Sequence, residues 1–192
     1  MSKKRYGEAK VKDLDLRPGD ILLLQIQGVV GKLVWLMQAI NRDTSKWTHA
    51  GIVLDGGMFF EAQPGGAVIT PLAKYADRQG EVVVFYQRPM SHQSKDYELA
   101  RLDDVLTDQL RANICRRARH MVKIGYNWTT YIYLAAYRFG IRPRWLKWRV
   151  QNDDRVICSQ AVDLIYDDEG VHLFADGRMP YDVTPGDLAR LA

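Results

Sequence analysis

The chain has 192 residues, 47% of them hydrophobic and 26% charged, with a net charge of +4. These proportions exclude a disordered or fibrous chain and leave room for one well-packed domain or, tightly, two. Two cysteines, Cys115 and Cys158, are too few for a disulfide framework, and no paired Cys/His spacing or HExxH suggests zinc or another metal.

Residues 1–14 read as a flexible basic lead. No apolar core of signal-peptide length follows Met1-Ser2-Lys3-Lys4-Arg5. Arg17-Pro18-Gly19-Asp20 is a turn, and Ile21 to Ile26 is a buried strand by length and punctuation. Val29 to Ile40 suits a short helix. Gly31, Lys32 and Gln38 leave it too short and too polar to span a bilayer. The expected location is therefore cytoplasmic, or outside by some delivery other than a signal peptide, such as a phage.

Ala50 to Leu54 and Met58 to Ala62 read as two strands. Asp55-Gly56 between them is a hairpin signal, because tight primed turns need positive φ. Pro64-Gly65-Gly66 turns the chain again, and Thr70-Pro71 reads as a helix start. Glu81 to Tyr86 is a further strand, apolar enough to be central. Residues 17–86 are thus predicted to form an antiparallel meander.

The second half is helical. Leu106 to Val122 repeats apolar residues at helical spacing, with Arg111, Arg116, Arg117 and Arg119 off that stripe. Tyr126 to Phe139 suits another helix, closed by Gly140 and Pro143. Arg138 to Arg149 is basic and aromatic. Cys158 to Tyr166 is a helix with Ala161, Val162 and Ile165 on its apolar side. Thr184-Pro185-Gly186-Asp187 repeats the turn signal. Strands followed by helices predict an α+β fold, with residues 15–192 as one domain.

Chemistry concentrates in two segments. Cys158 opens a helix, where unsatisfied amides and the helix dipole lower a thiol's pKa and can hold an oxyanion. Cys115 sits mid-helix and reads as packing. His49 precedes Ala50-Gly51, small residues that leave room for another group. Strand pairing across Asp55-Gly56 brings neighbours within about 5 Å, so Glu61 can orient the His49 imidazole. A carboxylate between Phe60 and Ala62 wants a partner. His92, His120 and His172 read as surface residues. A thiol, a base and an orienting group are the minimum set for cysteine-based acyl transfer.

With these residues in hand, the chain resembles the NlpC-type cysteine peptidases of the papain-like superfamily, in their circularly permuted branch. Arg17-Pro18-Gly19-Asp20-Ile21, His49-Ala50-Gly51-Ile52-Val53 and Phe60-Glu61-Ala62 match the strand part in order. The cysteine helix, Cys158-Ser159-Gln160-Ala161-Val162, comes last instead of first. Gly125-Tyr126-Asn127-Trp128 looks like the family segment whose tyrosine lines the site, and Thr184-Pro185-Gly186-Asp187-Leu188 is similar to the permuted branch's ending. The resemblance spans roughly residues 15–87 and 124–189.

It implies a papain-like core, an antiparallel sheet packed against the catalytic-cysteine helix. Cys158, His49 and Glu61 are then the expected catalytic residues, and Tyr126, Trp47 and Ser159 the expected substrate-binding ones. The implied reaction is hydrolysis of amide bonds through an acyl-enzyme, often in peptidoglycan peptides, with no cofactor or metal needed. Acyl hydrolysis or transfer on lipids or thioesters, and a non-catalytic binding module, are the alternatives. Arg142, Arg144, Trp145, Lys147 and Trp148 offer contact with an anionic wall or membrane surface; without it they are a solvated loop. No nucleic-acid partner is expected.

Overall fold

The computed structural model describes residues 3–26, 35, 45–63, 65–91, 95–125 and 157–192. Its centre is the strand Ile21–Leu24 (β2), an unbroken apolar run in which all four side chains are buried. A strand that is apolar on both faces needs cover on both faces, and this one has it. Ile21 and Leu23 belong to one apolar cluster, Leu22 and Leu24 to a second on the other side.

Around β2 runs a six-stranded antiparallel sheet. The strands Ala9–Lys10 (β1), His49–Leu54 (β3), Met58–Gln63 (β4), Gly66–Pro71 (β5) and Gln79–Val82 (β6) take the order β1-β6-β2-β3-β4-β5. Strands β2 to β5 form the expected meander. The chain then returns across the sheet so that β6 pairs with the free side of β2. Asp55-Gly56-Gly57 links β3 to β4 with Gly56 at φ 70° and Gly57 at φ 68°, the left-handed region that the Asp-Gly signal anticipates. The pairing Leu54↔Met58 follows from this turn, and Gly51↔Glu61 follows from that pairing.

Three helices complete the described fold: Asp108–His120 (α1), Cys158–Asp168 (α2) and Pro185–Ala189 (α3). Ile114, Ala118, Ala161, Ile165, Val183 and Leu188 pack with Ala50, Ile52 and Phe60 of the sheet in the larger cluster. Both halves of the chain therefore share one core, and the class is α+β. No helix among the described residues is long and apolar enough to cross a membrane.

The structure departs from the sequence reading in five places. First, residues 3–14 are not a loose lead. Val11 and Leu14 are buried in the smaller cluster, where they cover the second face of the sheet. Arg5 donates to Asp20 and Asp103, which also receive Arg111 at 2.7 Å each. Arg111, off the apolar stripe in sequence, is thus only 7% exposed. Second, Thr70 and Pro71 end a strand; only a short 3-10 turn, Leu72–Tyr75, follows. Third, the run 81–86 is split. Its first part lies in β6, while Phe85–Pro89 (β7) pairs with Tyr97–Arg101 (β8) in a separate two-stranded sheet. Fourth, β8 itself has no counterpart in the sequence reading. Fifth, Thr184-Pro185-Gly186-Asp187 is the start of α3, with Thr184 and Asp187 capping each other's amides reciprocally. The expected helices over 29–40 and 126–139 and the basic aromatic stretch 138–149 lie outside the described residues, apart from Trp35, which is 53% exposed.

Candidate active site

His49 opens β3, and Glu61 lies in the neighbouring strand. Because Gly51 pairs with Glu61, His49 sits one diagonal step away on the same face of the sheet. Long side chains span that diagonal. His49 Nε2 and Glu61 Oε2 are 2.8 Å apart, and both side chains are 2% exposed. Gly51 lies between them. A Cβ there would stand 2.3 Å from the Phe60 carbonyl oxygen and 2.4 Å from Phe59 Cζ. The room left by glycine is therefore filled by the Phe59 ring, which meets the imidazole edge-on at 6.4 Å between centroids.

Cys158 is the first residue of α2. Ile157, the residue before it, has no side-chain oxygen to offer the first-turn amides, while its own amide is taken by Gln160 Oε1 at 3.1 Å. Those first-turn amides remain available to an anion. Cys158 lies close enough to His49 for the two to influence each other's ionisation, and the backbone amides of Ala50 and Ser159 add to the positive field at its sulfur. With Nε2 facing Glu61, Nδ1 is the ring nitrogen left for the thiol.

The electrostatics follow from this geometry. Burial alone would lower the pKa of His49. The hydrogen bonds and charges of Cys158 and Glu61 outweigh it and raise the imidazole to about 9. Burial opposes ionisation of Cys158, yet the His49 contact and the two amides hold the thiol below its ordinary range. Burial likewise opposes ionisation of Glu61, and His49, Thr70 and Tyr75 together bring it to about 2. All three shifts run toward the charged forms of Cys158, His49 and Glu61. Cys115 moves the other way: burial raises its pKa, and it is spent on a 3.8 Å contact with the Val53 carbonyl.

Glu61 has partners that sequence reasoning missed. Thr70 Oγ1 donates to Oε1 at 2.8 Å, the Tyr75 hydroxyl lies 2.9 and 2.8 Å from the two oxygens, and Lys74 Nζ stands 3.8 Å from Oε1. Register would have found Thr70. It pairs with Phe59, which places it one diagonal step from Glu61 on the same face. Tyr75 arrives from the 3-10 turn beyond β5 and had no comparable signal.

The expected substrate-binding residues fare differently. Trp47 is packed in the main core, 3% exposed, with its indole N–H donated to Glu81 at 2.8 Å. It packs as a core group among the described residues. Ser159 is fully buried and donates its hydroxyl to the Val183 carbonyl at 2.7 Å, so only its amide faces the sulfur. Tyr126 lies outside the described residues. His120 and His172 are exposed, as their surroundings suggest; His92 is outside the described residues. Among the described residues, no group of three His, Cys, Asp or Glu side chains is arranged to hold a metal ion.

Comparison with protein-family models and with curated proteins gives no match for this chain.

Proposed function

We propose that the chain is a cysteine hydrolase of the permuted, papain-like NlpC-type design, cleaving amide bonds such as those of peptidoglycan peptides. One observation carries the reading. A thiol at a helix start and an imidazole at a strand start couple electrostatically, and the imidazole is hydrogen-bonded to a buried carboxylate, although the first two are far apart in sequence. A core without chemistry has no need to bury three ionisable groups together.

The groups have definite roles. The Cys158 thiolate attacks the carbonyl carbon, forming a C–S bond and placing the negative charge on the carbonyl oxygen. First-turn amides of α2 steady that charge. The His49 imidazolium gives its proton to the leaving nitrogen, the C–N bond breaks and the amine departs. A thioester is left on Cys158. His49, now neutral, takes a proton from water as the water oxygen attacks the thioester. The C–S bond breaks, the carboxylic acid leaves and the thiolate returns. Glu61 keeps the imidazole aimed and favours its charged form throughout.

Lipid esters and thioesters would react through the same atoms, so substrate assays separate the readings. Wild-type chain incubated with peptidoglycan peptides should release a free amine and a free carboxylate. Cys158→Ala and His49→Ala should release neither. Turnover of acyl lipids alone would replace the amide reading with an acyl-hydrolase one. Turnover that survives Cys158→Ala would remove the thiol from the mechanism altogether. The residues Arg142, Arg144, Trp145, Lys147 and Trp148 are proposed to bring the enzyme to an anionic wall or membrane surface.

A further inference from the structure

Glu61 is held by more donors than the imidazole alone requires. Its side chain is 2% exposed, so water does little to stabilise its charge. A buried carboxylate that loses its hydrogen bonds protonates, because desolvation penalises the charged form. Here Oε2 faces His49 Nε2, Oε1 accepts from Thr70, and the Tyr75 hydroxyl lies almost equally far from both oxygens. A single phenolic proton shared between the two oxygens fixes the carboxylate plane as well as its charge. Tyr75 is half-buried, and its ring meets Phe59 edge-on at 5.6 Å between centroids. The same Phe59 ring contacts His49. The tyrosine thus braces the orienting carboxylate by its hydroxyl and the imidazole's aromatic neighbour by its ring.

We propose that Tyr75, assisted by Thr70, is a positioning residue that holds the Glu61 carboxylate aimed at His49, and so governs the reactivity of Cys158. This inference rests on the thiol–imidazole–carboxylate reading above. Tyr75 does not touch the sulfur; it acts through Glu61 and then His49. Among the described residues, the charged and titratable groups facing Glu61 are His49 from β3 and Lys74 and Tyr75 from the 3-10 turn, and the charge of Arg78 reaches Tyr75. Lys74 also favours the ionised carboxylate, but it is half-exposed, 3.8 Å away and lies over the Tyr75 ring. Its contribution is screened, and the two hydroxyls dominate.

The test needs no substrate. The full chain is alkylated with iodoacetamide over a range of pH, and the rate at Cys158 is followed by peptide mass, separately from Cys115. Tyr75→Phe removes the hydroxyl and keeps the ring on Phe59. The expected result is a Cys158 rate roughly three- to tenfold lower near pH 6, with the high-pH plateau unchanged, in keeping with one lost hydrogen bond to a charged group. Thr70→Val should shift the profile the same way by a smaller factor, and it carries the test if Tyr75→Phe does not fold. A purely structural tyrosine would leave the pH profile in place. Profiles of both variants superimposed on the wild type would overturn the proposal. His49→Ala separates the two levels. If it moves the profile while Tyr75→Phe and Thr70→Val do not, the positioning role alone is lost. If His49→Ala leaves the profile unmoved as well, the reading on which the inference rests fails with it.

Discussion

At the scale of single residues, the coupling of Cys158, His49 and Glu61 sets the pH behaviour. The thiolate forms as pH rises through the lowered Cys158 value, and the imidazolium is lost as pH rises through about 9. Turnover should therefore be bell-shaped, its limbs belonging to the coupled pair. Glu61→Gln keeps an acceptor for the imidazole N–H but removes the charge. The alkaline limb of kcat/KM should move down by roughly one unit, with partial activity retained. An unmoved limb would show that the Glu61 charge does not reach His49. Stability follows the same signs. Glu61 is depressed from 4.5 to about 2, so its stabilisation is complete above pH 4.5 and is lost as pH falls toward 2. His49 is raised from 6.5, so its contribution is complete below that pH and is lost as pH rises through about 9. The nearness of His49 to Glu61 and the place of Cys158 at a helix start were legible in the sequence less from any one local signal than from their combination: a hairpin turn that counts out the register, and a cysteine opening a helix. The second layer was not. Thr70 resembled a helix cap, but its hydroxyl is spent on Glu61, and the turn after Pro71 has no side-chain cap.

At the scale of elements, β3 and the first residues of the chain make separate demands. Gly51 is in a strand, where replacing glycine with alanine would ordinarily gain about 0.5–1 kcal/mol of backbone entropy. A Cβ placed 2.3 Å from a carbonyl oxygen reverses that gain. Gly51→Ala should lower stability by about 3 kcal/mol in denaturant titration and should displace the Phe59 ring. A stability equal to wild type would mean that the β3–β4 pairing is looser than its register implies. The second demand concerns Arg5, whose side chain is 12% exposed and bridges Asp20 to Asp103. Removing one partner of a buried ion pair costs roughly 3–5 kcal/mol, but Arg111 remains to hold both carboxylates. Arg5→Ala should therefore cost about 2 kcal/mol, read as a lower urea midpoint at unchanged slope. No shift would mean that residues 3–14 contribute little to the fold. Sequence reading took these residues for a solvated lead because Lys3, Lys4 and Arg5 look like a charge run. The charges that answer Arg5 lie on Asp20 and on Asp103, 98 positions away, and no local pattern reveals such a pairing.

At the scale of the whole molecule, the strands from Ile21 to Gln63 were legible from run length and turn signals and the helices Asp108–His120 and Cys158–Asp168 from spacing, and their union followed from the chemistry expected of Cys158 and His49. The path of the chain between them was less legible. Residues 81–86 form one apolar run because Val82, Val83 and Val84 are all buried, yet the chain leaves one sheet and enters another within it. Burial favours apolar residues in both places and does not mark the crossing. A core built from both halves should melt as a unit, so far-UV circular dichroism and tryptophan fluorescence should give one coincident transition. Separate midpoints would divide the halves. The most direct test of the central claim is the mass of the chain quenched during turnover of a peptidoglycan peptide, followed by mapping of the modified residue. The expected result is an acyl group in thioester linkage on Cys158, absent in His49→Ala. Turnover without any adduct, an adduct on Cys115, or an adduct that forms equally well in His49→Ala would contradict it.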